Sequence, residues 1–173
     1  MTHEIMEWVK TILLSIAIAF LITLFVRPTL VKGYSMYPTL EPNNYLVINK
    51  IPYTLEEPSR GDIVVFKSHL LTEDGKEKDL IKRVIAVPGD HLVIESGRVY
   101  VNDVEIDEPY INGSFTRGDL NLTIPCEKIF VMGDNREKSM DSRDSRVGPV
   151  NLEMIRGKVI VRLFPFDEIG SVD

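Results

Sequence analysis

The stretch Leu80–Val101, LIKRVIAVPGDHLVIESGRVYV, decides the class of fold. Three short runs of β-branched or alternating residues (Leu80–Val87, Leu92–Ile94 and Val99–Val101) are separated by Pro88-Gly89-Asp90 and Ser96-Gly97. Strand-like runs cut by turn formers every few residues predict antiparallel β structure. Ser96-Gly97 between two alternating runs predicts a tight hairpin turn. Side chains alternate across a strand, so Leu80, Lys82, Val84 and Ala86 share one face and Arg83 points to the other. Outward from this stretch the pattern repeats in Tyr45–Ile48, Ile63–Phe66, Ile129–Met132 and Lys158–Leu163. Pro42-Asn43-Asn44, Arg60-Gly61-Asp62 and Gly133-Asp134-Asn135 supply the turns. Leu70–Asp79, charged and polar, reads as a solvated loop or a hairpin tip. The only helical hint after residue 30 is a short turn near Leu152–Ile155, and no internal repeat occurs.

The amino-terminal end has a different character. Thr11–Val26 carries no charge and is almost wholly aliphatic, ending at Arg27-Pro28. As a helix it reaches about 24 Å, a little short of the ~30 Å hydrocarbon core. Trp8 and Val9 extend it, and Lys10 can snorkel to the headgroups. A removable signal peptide fits poorly, since Glu4 and Glu7 precede the apolar run and no small-x-small pair follows Phe20. A buried core helix is the other alternative. The expected organisation is a short amino-terminal segment (1–10), one transmembrane anchor (11–27) and a mostly β domain (28–173). Lys10 on one side and Arg27 and Lys32 on the other leave charge bias silent on orientation.

The chain has 173 residues, with 20 Lys+Arg against 26 Asp+Glu, a net charge of −6. That balance argues against nucleic acid as a partner, since such binders need clustered positive charge to displace counterions. Hydrophobic residues at 44% and charged residues at 27% suit a folded chain. Cys126 is the only cysteine, so an internal disulfide and a cysteine zinc site are excluded. Three histidines without an HExxH pattern give no metal ligand set, and neither metal nor cofactor is expected.

Three segments carry candidate chemistry. Gly33–Leu40, GYSMYPTL, places Ser35 in a turn shaped by Gly33 and Pro38. A serine nucleophile needs a base. No Gly-x-Ser-x-Gly elbow is present, His3 precedes the anchor, and His69 and His91 sit at strand ends beside turns, so a histidine triad is weakly supported. Lys82, set in an apolar row, is the remaining base. Desolvation disfavours its ammonium, and lowering its pKa by about two corresponds to about 2.7 kcal/mol, within reach of partial burial. The third segment, Gly133–Arg143, is GDNREKSMDSR. Asp141 and Arg143, two apart, share a face in extended chain and can pair across a bend, and Ser139 can hydrogen-bond a lysine amine. The plain alternatives are a loop serine, a strand lysine reaching for solvent, and a charged loop.

Together with RGDIVVF (Arg60–Phe66) and IKRVIAVPGD (Ile81–Asp90), these blocks resemble, in order, the bacterial type I signal peptidases, also called leader peptidases. The likeness covers most of the chain and looks like the single-span forms of Gram-positive bacteria. It implies a membrane-anchored serine endopeptidase that removes signal peptides from exported preproteins after a small-x-small site. By the family pattern Ser35 is the nucleophile and Lys82 the general base, Ser139 orients Lys82, and Asp141 and Arg143 brace the site. The implied fold is mostly β with a small inserted lobe at about 93–124. One departure stands out: many members carry Ser or Thr two positions before the nucleophile, as an oxyanion donor, where this chain has Gly33. Strand edges near Val31–Tyr34 and Asp79–Lys82 are expected to pair with an extended substrate. Val31, Met36, Leu40 and Ile81 are expected to shape shallow pockets. The implied partners are preprotein signal peptides and the lipid bilayer, with the secretion machinery close by. Other classes are a self-cleaving Ser-Lys repressor, which needs a DNA-binding domain where this chain has an apolar helix, and a non-catalytic membrane-anchored β binding module. Endoplasmic-reticulum-type and archaeal-type signal peptidases are expected to carry histidine in place of Lys82.

Overall fold

The computed structural model describes residues 2–50, 57–111, 113 and 115–172. Helix α1 runs over Thr2–Phe25, about 36 Å at the usual rise. None of its apolar window is buried by the rest of the chain, which removes the core-helix alternative. By length and composition it suits a membrane span. Two residues placed at the end of the anchor, Val26 and Arg27, lie instead in strand β1, Val26–Leu30. Pro28 offers no N–H to a helix and restricts Arg27 to extended backbone. The ladder then takes over, with Val26 opposite Asn49 and Arg27 opposite Ile48.

The remaining strands are β2 (Tyr45–Asn49), β3 (Ile63–Leu71), β4 (Glu77–Ala86), β5 (His91–Glu95) and β6 (Arg98–Val101), followed by β7 (Val104–Glu105), β8 (Leu120–Thr123), β9 (Lys128–Met132), β10 (Val150–Asn151) and β11 (Ile155–Phe164). The fold is mostly β, and each strand-like run in the sequence falls on one of these strands, except that Val87, the last residue of the run Leu80–Val87, lies past the end of β4. A 3-10 turn, Leu152–Met154, stands at the helical hint, and another, Phe166–Glu168, follows β11 where the sequence shows no helical period. The polar stretch after Leu70 is a hairpin tip with longer arms than expected, since Leu71 pairs with Glu77. Ser96 and Gly97 link β5 to β6 with φ of 52° and 81°. Positive φ at both positions is what a two-residue turn matched to strand twist requires.

Seven strands form one antiparallel sheet in the order β1-β2-β11-β3-β4-β9-β10, and four form a second in the order β7-β6-β5-β8. The second sheet is built from residues 91–123, between β4 and β9. The large sheet is apolar on both faces. On β3, Ile63 and Val65 pack with Met36, Leu40 and Leu46, while Val64 and Phe66 pack with Leu80, Val84 and Val131. A strand buried on both faces reads as a continuous apolar run, which explains IVVF. A third cluster joins the sheets through Ile85, Leu92, Ile94, Phe130 and Met132. The chain between β1 and β2 and the chain after β9 both fold over the β4 region of the large sheet, and the candidate residues converge there.

Candidate active site

The loop carrying Ser35 is closed at its mouth, where Val31 N–H donates to Asn44 O at 3.0 Å and Asn43 N–H to Val31 O at 2.8 Å. Within it Leu40 N–H donates to Met36 O at 2.8 Å. Val31, Met36 and Leu40 are 4%, 1% and 0% exposed. They are core residues that hold the loop down, and of the four expected pocket residues only Ile81 is partly exposed. The tight backbone turn around Ser35 therefore rests on the packed cluster beneath it.

Lys82 is 2% exposed and stands between Leu80 and Val84 on β4, opposite Val64 of β3. Its Nζ lies 2.7 Å from Ser35 Oγ and donates to Ile81 O at 2.8 Å. Burial this deep excludes a side chain reaching for water. It also lowers the pKa from 10.5 to about 8; the Asp141 carboxylate opposes the fall, Lys78 adds to it, and Asp134 opposes it more weakly. A pKa near 8 leaves about a tenth of the amine neutral at pH 7, against about 0.03% for an ordinary lysine. Neutral Nζ can accept the Ser35 proton across the observed contact. Among the described residues no histidine hydrogen-bonds to Ser35; His91 meets Asn121 instead.

The chain after β9 forms the other wall. Asp141 accepts from Arg143 Nε at 2.9 Å and Nη2 at 2.8 Å, and from Gly133 N–H at 3.0 Å. Burial pushes the Asp141 carboxyl up, but Arg143 outweighs it and holds the group below the usual carboxylate range. The pairing expected from the spacing of Asp141 and Arg143 is therefore present. Ser139 is placed less simply. Its Oγ lies near enough to Asp141 to help lower that carboxyl, yet it is buried with no partner in hydrogen-bond geometry among the described residues. It sits directly behind Gly133, where a Cβ would lie 2.2 Å from Ser139 Oγ and 2.2 Å from Ser35 O. Only glycine lets these chains approach so closely.

Several residues at the site, Arg83, Asp134, Arg136, Thr39 and Asn135 among them, carry no signal in the sequence for the contacts they make. Arg83 is 3% exposed and donates to Asp134 Oδ1 at 3.0 Å and Oδ2 at 2.8 Å. Thr39 Oγ1 donates to the same carboxylate, tying the Ser35 loop to it. Arg83 also stands 4.0 Å above the Tyr110 ring. Arg136 is buried against Glu108 and Thr116, and its Nε donates to Gly133 O at 3.2 Å. Asn135 N–H donates to Ser35 O at 3.1 Å, and its Nδ2 to Tyr34 O at 3.0 Å. Partners this far apart in the chain cannot be matched from the sequence. Among the described residues no group of His, Cys, Asp and Glu has the makeup of a metal site.

A serine hydroxyl against a buried lysine, with free backbone N–H beside it, is suited to acyl transfer. Comparison with known proteins agrees. The family described as "Signal peptidase, peptidase S26" matches residues 5–164. Signal peptidase I of Bacillus licheniformis is 36% identical over 184 residues, covering 99% of this chain and 95% of that protein. Signal peptidase IB of Staphylococcus aureus (strain COL) is 36% identical over 187 residues, covering 97% and 94%. A crystal structure of a signal peptidase I from Enterococcus faecalis V583 aligns with a TM-score of 0.49 at 29% identity, over 60% of this chain and 97% of that one.

Proposed function

Because the chain belongs to the signal peptidase family, peptidase S26, and is thus a serine endopeptidase acting on preproteins, we propose that its catalysis runs on a Ser35–Lys82 dyad. The observation that carries this reading is the 2.7 Å contact between Lys82 Nζ and Ser35 Oγ, made by a lysine that burial drives toward its neutral form. Neutral Lys82 takes the Ser35 proton as Oγ bonds to the scissile carbonyl carbon. The carbonyl oxygen becomes an oxyanion held by Ser35 N–H. The ammonium of Lys82 then protonates the leaving amine as the C–N bond breaks, leaving an acyl-enzyme. Water deprotonated by the same amine attacks the ester, and Ser35 recovers its proton. Asp141 and Arg143 brace the wall behind the dyad, and Ser139 offers Lys82 Nζ a further oxygen when the ammonium forms.

Substrate enters as an added strand. Strand β9 pairs with β4 only at Arg83, Val84 and Ala86, so the same edge of Asp79–Lys82 is open to an extended peptide. Half-buried Ile81, above buried Val31, Met36 and Leu40, leaves little depth beside that edge. A shallow recess selects small side chains on either side of one intervening residue, which is a small-x-small site. Helix α1 anchors the enzyme as a single span, with residues 28–173 on the extracytoplasmic side and 91–123 as an inserted lobe. That position puts the dyad near the bilayer surface and the secretion machinery, where cleavage sites emerge.

The test is cleavage of a purified preprotein in detergent by wild type, Ser35→Ala and Lys82→Ala, with the new amino terminus sequenced. Cutting after a small-x-small site by wild type alone is expected. Full activity in either variant removes the dyad, and inertness of wild type on several preproteins favours the anchored binding module. Protease added outside intact cells should digest the β domain; complete protection would reverse the topology.

A further inference from the structure

We propose that Asn135 is a positioning residue for the oxyanion: it aims Ser35 N–H by gripping the carbonyl at the other end of the same peptide unit. The inference rests on Ser35 being the nucleophile. Gly33 has no side chain to offer the oxyanion, so the backbone N–H of Ser35 is its nearest donor. Among the described residues that N–H donates to no acceptor, which leaves it available to substrate. A free donor helps only if its direction is set before charge develops.

The Tyr34–Ser35 peptide is a rigid plane, in which the Tyr34 C=O and the Ser35 N–H point in opposite directions. Holding one fixes the other. Tyr34 O accepts from Asn135 Nδ2 at 3.0 Å and from Tyr37 N–H at 3.2 Å. The next carbonyl, Ser35 O, accepts from Asn135 N–H at 3.1 Å. One residue thus clamps the chain on both sides of the Ser35 Cα. The Tyr34 side chain is 62% exposed, so packing of that ring does not hold the peptide. The clamp itself is held firmly: Asn135 is 8% exposed, and Lys138 N–H donates to its Oδ1 at 3.2 Å. That bond assigns the amide, because oxygen must face the N–H donor and Nδ2 must face the Tyr34 carbonyl. Neighbouring Gly133 has no Cβ, which leaves room for Ser35 O to reach Asn135. Donation into Tyr34 O also polarises the peptide and strengthens its N–H as a donor.

Asn135→Asp keeps the shape and the acceptor for Lys138 but turns an oxygen toward Tyr34 O. With a preprotein in detergent, kcat should fall about 100-fold, the scale of a misaligned oxyanion donor. KM should stay put, since substrate pairing is untouched, and in Asn135→Ala, which brings no new charge near Lys82, the midpoint of the pH–rate profile should stay put as well. A peptide aldehyde spanning the cleavage site separates positioning from folding. Its carbonyl carbon bonds to Ser35 Oγ, the hydroxyl proton passes to Lys82, and its oxygen becomes the oxyanion. Aldehyde affinity should fall in step with kcat, while the matching peptide alcohol, which forms no oxyanion, binds as before. Asn135→Ala, which removes the donor without adding charge, should behave likewise. Equal weakening of aldehyde and alcohol, a kcat within threefold of wild type, or loss of cooperative unfolding in both variants overturns the proposal. Ser35→Ala measured alongside keeps the two readings apart: activity there removes the nucleophile, whereas an inert Ser35→Ala with a fully active Asn135→Asp removes only the clamp.

Discussion

Lys82→Met should abolish cleavage and stabilise the protein. Burial moves the lysine pKa from 10.5 to about 8, a difference worth about 3 kcal/mol. The sign follows from proton counting. Between pH 8 and 10.5 the unfolded chain binds a proton that the folded chain has released, so wild-type stability rises with pH through that window. Below pH 8 the folded state carries the full cost of holding a buried ammonium. Methionine fills a similar volume without charge and escapes that cost. It also removes the partner of Ser35 Oγ and Ile81 O, a loss of about 1 kcal/mol each at these half-buried residues, where water can take the partner's place. A net gain of about 1–3 kcal/mol remains at neutral pH. For a chain of this size each kcal/mol moves Tm by about 2–4 °C, so Tm should rise by roughly 2–12 °C. Thermal unfolding of full-length wild type and variant in the same detergent, at pH 7 and pH 10.5, measures it. The gain should be present at pH 7 and largely gone at pH 10.5. A variant less stable than wild type at pH 7, or a gain that persists unchanged at pH 10.5, refutes the argument that burial is what lowers the pKa of Lys82.

Three further predictions follow from the same geometry. The acidic limb of the kcat/KM profile should have its midpoint near pH 8; Asp141→Asn, which removes a charge that favours the ammonium, should move it to lower pH, and a midpoint moving upward would contradict this. Gly133→Ala places a methyl 2.2 Å from Ser35 O and from Ser139 Oγ, and should lower kcat by about 100-fold through displacement of the nucleophile; near-normal kcat in steady-state assays would show that the wall yields. At Gly33 nothing lies within 4 Å of an added Cβ, so Gly33→Ser should fold normally and raise kcat about tenfold by supplying a second oxyanion donor; an unchanged kcat would place the oxyanion away from Gly33.

Much of the architecture is local and therefore legible. The alternation in Leu80–Val87, the Ser96-Gly97 turn and the apolar amino-terminal run all depend on residues a few positions apart. Strands β7 and β10, only two residues each, have no periodicity to read and exist because a neighbouring edge recruits them. β8, a single alternation of four residues, is scarcely different. The end of α1 is not legible, because Val26 is as apolar as the helix before it, and only its pairing with Asn49 puts it in a strand. The site was legible wherever a residue's own setting betrays it: Lys82 within an apolar row, Asp141 two positions from Arg143.

Short-range pattern is enough for the class of the molecule: an apolar helix, a β domain, and a serine and a lysine in blocks that mark a family. Which groups touch is a matter of the packed fold. Ser35 meets Lys82 across 47 positions, Arg83 meets Asp134 across 51, and Asn135 meets Tyr34 across 101. Side-chain periodicity is a short-range property of the backbone, so it survives in a string of letters. Hydrogen bonds and desolvation depend on which distant segments the core brings within 3 Å or so, and that distance exists only once the sheets have packed.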